Sequence, residues 1–236
     1  MRIDILTLFP KMFDGFLSES IIKRAIDTKK IEINVYDIRE FSKDPHKKVD
    51  DYGYGGGAGM VLMPQPIFDA VNFLKKDDSY IVLMTPQGVT YKQKLAYNLA
   101  LKKHIIIICG HYEGFDERIR LLADLELSIG DYVLTGGELA SMVVTDSITR
   151  LLDGVINQES HEKDSFTDGL LDYPVYTKPY DFNGLKVPDV LLSGHHENIN
   201  KWRREEQIKR TLERRPDLLE KSWVYEKRTI CINKIK

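Results

Sequence analysis

The sequence predicts an α/β fold, a parallel sheet covered on both faces by helices, followed by a small, mainly helical C-terminal domain. Three observations carry this. Strand-like and helix-like segments alternate along most of the chain. The strand-like runs are near-continuous in Ile, Val and Leu, as in Ile105-Ile106-Ile107-Ile108, the pattern of strands buried on both faces. Three successive strand ends carry glycine beside polar or aromatic residues, which points to one shared ligand site.

In order, Met1–Leu8 reads as a strand, Lys11–Lys29 as a helix, Ile31–Ile38 as a strand and Pro64–Lys75 as a helix. Tyr80–Met84 is a further strand, Tyr91–Lys102 a helix and Ile105–Cys109 a strand. From Ser128 a short strand is broken by Gly130 and resumes as Tyr132-Val133-Leu134. It then meets Gly136-Gly137 and passes at once into a helix from Glu138 that ends at Arg150. The polar stretch Asn157–Leu170 is an exposed connection. Beyond it lie Pro174, Pro179 and Pro188, then a helical run from Asn198 to Glu213. The expected division is 1–156, a linker 157–171, and 172–236. Periodicity alone leads to an ordinary doubly wound sheet, since true knots are rare.

At 236 residues and 42% hydrophobic content there is enough apolar material for a core. A net charge of −2 predicts no strong overall attraction to nucleic acid, so any RNA-binding surface is local. Cys109 and Cys231 are far apart and support neither a disulfide framework nor a zinc site. Cys109 ends an apolar run and reads as a small buried hydrophobe, not a nucleophile. The longest apolar runs are strand-sized, with no secretion signal or spanning segment, so the chain reads as cytoplasmic and free of membrane.

The glycine run Gly53-Tyr54-Gly55-Gly56-Gly57-Ala58-Gly59-Met60 invites a nucleotide-binding reading and fails its details. Met60-Val61 stands where a P-loop needs Lys-Ser/Thr, no G-x-G-x-x-G register fits, and charged residues precede it instead of an apolar strand. A surface loop and a lid that closes over a bound base both remain open. Asn200–Arg215 sets Lys201, Arg203, Arg204, Lys209, Arg210, Arg214 and Arg215 against three glutamates, with Trp202 among them. A solvated helix face is the ordinary account, and an aromatic ring among basic residues also suits RNA contact. His195 and His196 are adjacent, without an H-E-x-x-H frame or a third ligand, so no residue is assigned to a metal. They read as a capping or RNA-contact turn.

Pro86-Gln87-Gly88, Cys109-Gly110-x-Tyr112-Glu113-Gly114 and Ser128–Glu138 occur in that order, with Asp50-Asp51 before Gly55-Gly56-Gly57 and Asp164-Ser165-Phe166 downstream. Together they resemble the bacterial tRNA (guanine-37-N1)-methyltransferases of the SPOUT superfamily. The resemblance runs from Leu8-Phe9-Pro10-x-Met12-Phe13 to Arg214-Arg215-Pro216, and includes Leu191-Leu192-Ser193-Gly194-x-His196. Ala58 and Ala140 depart from it where prolines are common, and His111 where an arginine often sits. Trp223–Lys236 is richer in β-branched residues than the family's helical tail.

The resemblance implies a deep trefoil knot built from the three loops. It assigns S-adenosylmethionine to Pro86, Gln87, Gly88, Gly110, Tyr112, Glu113, Ile129, Gly130, Asp131, Tyr132, Val133, Leu134, Gly136 and Gly137. Methylating guanine at N1 requires removal of the N1 proton as the methyl arrives, and Asp164 matches the position of that base. Asp172 is a weaker candidate. Arg150 reads either as a cation at a helix C-terminus or as a stabiliser of negative charge on guanine O6, and the match favours the second. Gly59, His196, Trp202, Arg203, Arg204 and Arg210 are the expected RNA contacts. The implied partners are tRNA with a guanosine 3′ of the anticodon and a second copy of the chain, a homodimer with each site shared. Magnesium is suggested as a helper. Rival readings are a SPOUT enzyme acting on another RNA atom, a non-catalytic RNA-binding module, and a nucleotide-binding oxidoreductase. The last is disfavoured by the missing dinucleotide fingerprint, and the module by intact glycine loops and Asp164.

Overall fold

Arg2–Thr7 forms the first strand, β1, every residue of which after Arg2 is buried. The structure, a computed structural model, describes residues 1–157 and 164–219. The Gln158–Lys163 part of the expected linker, Cys231, and the expectation for Trp223–Lys236 lie outside the described residues. The chain divides into two units, Met1–Gln158 and Glu159–Lys236.

In the first unit β1 is followed by α1 (Asp14–Ser18), α2 (Ser20–Asp27), β2 (Glu32–Asp37), β3 (Asp50–Asp51), β4 (Val61–Leu62) and α3 (Pro64–Leu74). Then come β5 (Ser79–Thr90), α4 (Gln93–Ala100), β6 (His104–Cys109), β7 (Leu125–Ser128) and α5 (Glu138–Thr149). Five strands make one sheet in the order β2-β1-β6-β5-β7, every pairing parallel. The expected parallel sheet is therefore present. Alternate side chains feed two cores, as the two-residue period of a strand requires. Ile3, Ile5, Val82, Met84, Ile105 and Ile107 pack with Phe13, Ala25, Leu99, Val144 and Ile148. Leu6, Ile81, Leu83, Ile106 and Ile108 pack on the other side with Ile67, Ala70, Val71 and Leu74 of α3.

Two local expectations are corrected. The helix expected over Lys11–Lys29 is a 3₁₀ turn, Pro10–Phe13, and then two helices separated at Glu19, whose backbone is extended. Phe13, Phe16 and Leu17 before this corner, and Ile21 and Ala25 after it, all join one core, so the bend keeps both halves facing the sheet. Tyr132-Val133-Leu134 does not resume a strand: the chain is irregular from Ile129 to Gly137. Tyr132 and Val133 are exposed, so no sheet partner or core draws them into extended pairing.

At the amino ends of the strands sits a buried polar row. His104 Nε2 meets Asp4 Oδ2 at 2.8 Å, and Ser79 Oγ meets His104 Nδ1 at 2.7 Å. Asn34 Nδ2 and Arg2 Nε both donate to Asp4 Oδ1 at 3.0 Å. The row crosses β2, β1, β6 and β5, and fixes their register where no ligand loop competes.

The second unit opens with a turn-rich segment from Asp164 to Tyr173. A short hairpin follows, β8 (Asp181–Phe182) with β9 (Leu185–Lys186), then a 3₁₀ turn Asp189–Leu192 and the long helix α6, His196–Arg214. The hairpin was not expected. Its two-residue loop is Asn183-Gly184, both at positive φ, the residue pair such loops favour. Ser193 Oγ accepts from the His195 amide at 3.2 Å, so the Ser193–His195 turn leads directly into α6. Among the described residues no helix is long and apolar enough to cross a membrane.

Asp4→Ala leaves His104 facing a fully buried gap and removes the acceptor shared by Arg2 and Asn34. The expected cost is about 3 kcal/mol of unfolding free energy, measured by urea titration. An unchanged midpoint would show that the row contributes nothing net.

Candidate functional site

Because β6, β5 and β7 are successive neighbours in the sheet, the loops leaving their carboxyl ends must meet. They enclose a cavity of about 420 Å³, within the range of small-molecule sites. Each loop makes its wall in a different way.

The β5 wall is an excursion within a strand. Met84 and Val89 both pair with Leu127, so Thr85–Gly88 is looped out of the ladder and the strand resumes beside β7 with its register shifted. Gly88 closes the excursion: a Cβ there would lie 2.3 Å from the Leu127 amide nitrogen. Arg120, from the turn after β6, braces the excursion by donating to Gln87 Oε1 at 2.6 Å. The same guanidinium donates to Glu117 Oε2 at 2.9 Å and to Glu126.

The β6 wall is Gly110–Gly114. Tyr112 adopts positive φ, 60°, and its amide donates to His111 Nδ1 at 3.0 Å. His111 packs against Phe9, with ring centroids 4.8 Å apart. The β7 wall begins with a tight turn in which the Gly130 amide donates to Ser128 Oγ at 3.2 Å. It returns to the end of β6 at Gly137, whose amide donates to the Gly110 carbonyl at 2.8 Å. A Cβ on Gly137 would stand 2.9 Å from Cys109 Cα and from the Gly110 nitrogen. Gly137 therefore serves an approach of loop to loop, where the sequence pointed to an approach of backbone to ligand. The next residue, Glu138, is buried and accepts from Thr7 Oγ1 at 2.7 Å, which anchors the start of α5 to β1.

Of the expected cofactor residues, Pro86, Gln87, Gly110, Tyr112, Glu113, Ile129, Gly130, Tyr132, Val133, Leu134, Gly136 and Gly137 line this cavity. Gly88 and Asp131 do not: Gly88 is under the wall, against β7. Sequence reading missed Thr85, Phe115, Arg120, Leu127, Thr135 and Ala140, which also line it. Arg120 carried no motif signal, because its role arises only when the turn after β6 folds back beside β5. Cys109 lies beneath the site, fully buried, and burial pushes its thiol far above the usual range, so it stays neutral and unreactive.

The glycine run Gly53–Met60 is closed at its base by β3 and β4, which pair antiparallel. Its far end is laced to the β6 wall: the Glu113 amide donates to the Met60 carbonyl and the Leu62 amide to the Gly114 carbonyl, both at 3.0 Å. Gly59 sits directly on Glu113, 2.5 Å from its Cγ if it had a Cβ. Tyr52 and Tyr54 are exposed on the loop. Arg150 caps the carboxyl end of α5, its amide donating to the Asp146 carbonyl at 3.1 Å.

In the second unit Asp164 lines a smaller cavity of about 230 Å³ with Asp168, Tyr173, Asn200, Arg203, Arg204 and Gln207. Asp172 lies nearby in sequence, and its amide donates to Ser165 Oγ at 3.0 Å. Arg203 lies over the Tyr173 ring, 4.8 Å from its centroid, and Arg204 pairs with Asp168. Trp202 and Arg210 are half-buried on α6, and His196 is exposed at its start. Among the described residues no three His, Cys, Asp or Glu side chains group to hold a metal ion.

A cavity of about 420 Å³ at the carboxyl ends of parallel strands, walled by three glycine-bearing loops, marks an α/β protein with a small-molecule site. The sequence profile described as tRNA (Guanine-1)-methyltransferase TrmD matches residues 1–221. The chain is 61% identical over 226 residues to a tRNA (guanine-N(1)-)-methyltransferase of Halalkalibacterium halodurans, covering 93% of this chain and 92% of that one. It is 57% identical over 221 residues to the protein of that name from Mycoplasma mycoides subsp. mycoides, with 93% and 92% covered. Against that of Bacillus cereus it is 55% identical over 242 residues, with 100% and 99% covered. The chain belongs to the tRNA (guanine-1)-methyltransferase family.

Leu134 lines the cavity and is more than a third exposed, so its replacement should spare the fold. Leu134→Asp sets a carboxylate in the cavity wall, where ligand burial would strip it of water. Affinity for S-adenosylmethionine, read by calorimetry, should fall at least about tenfold. Wild-type affinity would remove this wall from the site.

Proposed function

We propose that this protein transfers a methyl group from S-adenosylmethionine to N1 of guanosine 37 in tRNA, the nucleotide 3′ of the anticodon. The observation that carries the reading is the single cavity formed by the loops of β6, β5 and β7 in a chain of this family. Its apolar wall residues, Met84, Leu127, Ile129, Leu134 and Ala140, suit an adenosyl ring. The glycines keep the surrounding main chain accessible for hydrogen bonding. S-adenosylmethionine supplies an electrophilic methyl when bound, and the residues of the chain orient it and manage the proton. The passage of the chain at Gly137 against Cys109 and Gly110 supports a trefoil knot in this region.

Asp164 is the proposed base. It takes the N1 proton of guanine as the new bond forms, and Arg150 offsets the negative charge that develops on O6. The glycine loop ending at Gly59 closes over the base, and His196, Trp202 and Arg210 hold RNA. Magnesium would add positive charge near O6; no ligand set for it stands among the described residues, and no step above depends on it. The chain is placed in the cytoplasm, where tRNA is processed.

The working form is proposed as a homodimer in which the cofactor loops and Asp164 that complete one site come from different copies. Leu139 and Val143, about half exposed and one turn apart on α5, support it, together with exposed Met12 on the 3₁₀ turn that packs against α5.

Asp164→Asn keeps the size of the side chain and removes the base. Single-turnover methylation should fall by about 10²–10⁴-fold while cofactor affinity stays at the wild-type value. Wild-type rates would move the base elsewhere, to Asp172 first. Mixing Asp164→Asn with Leu134→Asp should restore activity in heterodimers, since one complete site is then assembled from intact halves. Heterodimers without recovery would place each site within one chain.

A further inference from the structure

The segment from Asp164 to Tyr173 is closed on itself and is also fastened to α6. Its own bonds run from the Thr167 amide to the Asp164 carbonyl at 3.3 Å and from the Phe166 amide to the Leu170 carbonyl at 2.7 Å. The Asp172 amide adds a bond to Ser165 Oγ at 3.0 Å. Phe166 and Gly169 take positive φ, 74° and 84°, which folds the segment into a compact loop.

Three side chains on one face of α6 hold that loop. Thr211 is fully buried. Its Oγ1 accepts from the Leu171 amide at 2.9 Å while donating to the Gln207 carbonyl at 2.7 Å. Arg203 covers the Tyr173 ring, and its Nε is buried without a hydrogen-bond partner among the described residues, so the ring is the contact that defines its place. Arg204 pairs with Asp168, whose other carboxylate oxygen accepts from the Leu170 amide at 3.2 Å. These contacts fall on both sides of Leu170, which is itself buried. Arg203 and Arg204 therefore both have contacts within the second unit.

We propose that Thr211, Arg203 and Arg204 are positioning residues for methyl transfer: they seat the Asp164–Tyr173 loop on α6 and thereby fix the carboxylate of Asp164. The inference rests on the reading of Asp164 as the base. The face of α6 that carries Arg203 and Arg204 holds the base in place, and RNA contact falls to the other basic residues of the helix. Thr211 is the cleanest probe, because it is uncharged and buried, so its replacement leaves the charge met by RNA unchanged.

The test is single-turnover methylation of tRNA by Thr211→Val, Thr211→Ser, Asp164→Asn and the double variant Asp164→Asn/Thr211→Val, with cofactor affinity measured alongside. Thr211→Val should lower the rate by about 10–10²-fold, the scale set by misplacing a reacting group by ~1 Å, with cofactor affinity unchanged. Thr211→Ser, which keeps the hydroxyl, should restore it. The double variant should be no slower than Asp164→Asn, because a residue that acts only through the base has nothing left to position. A wild-type rate in Thr211→Val overturns the proposal, and so does a double variant slowed by the product of the two single losses. A fast Asp164→Asn would instead sink the assignment of the base, and the inference with it. That failure is distinguished because it alone leaves Asp164→Asn active.

Discussion

The fold of the first unit turns on the point where the chain comes against the end of β6 at Gly137. Any side chain there would collide with the backbone of Cys109 and Gly110, so the bond from the Gly137 amide to the Gly110 carbonyl exists only because the residue has no Cβ. That contact sets the direction of α5, brings Glu138 to Thr7, and pins the last of the three loops against the second. The cavity is a by-product of this closure.

The two ends of the sheet are organised in opposite ways. At the amino ends, side chains do the joining: Asp4, His104, Ser79 and Asn34 form a connected polar row. At the carboxyl ends, main-chain bonds such as that from Gly137 to Gly110 join the loops, with Arg120 bracing Gln87 beside them. Rigidity on one edge supports openness on the other, since the register of β1, β6 and β5 is set before the loops begin. Lacing the glycine run Gly53–Met60 to the Glu113 and Gly114 main chain extends the same device outward from the cavity.

Much of this was legible in the sequence for identifiable reasons. Unbroken apolar runs allow few fates other than a strand buried on both faces, so β5 and β6 could be read directly, and the alternation of strand-like and helix-like segments added β1 and the parallel pairing. Glycines at three strand ends marked the walls of the cavity. Less legible was anything that depends on which segments fold back on each other. Arg120 bracing Gln87 and Gly88 lying under the wall are contacts of this kind. So is Arg204 meeting Asp168, across thirty-six positions of chain. The hairpin at Asn183-Gly184 carries a strong local turn signal of its own, since that residue pair favours two-residue loops. The break at Glu19–Ser20 had no such signal. Both halves carry helix-forming residues, and only the shared core dictates the bend.

The excursion of β5 has a consequence for how this site could change over time. Met84 and Val89 both stand beside the same residue of β7, so Thr85–Gly88 lies outside the ladder and the register shift is absorbed within it. The wall can be exchanged or resized without shifting any strand by a single residue, provided the last position remains a glycine. A sheet usually couples the composition of a strand to its alignment, because one inserted residue turns every later side chain over. Here the two are uncoupled at the place where ligand chemistry is decided. The scaffold and the wall of its pocket are free to evolve as separate parts.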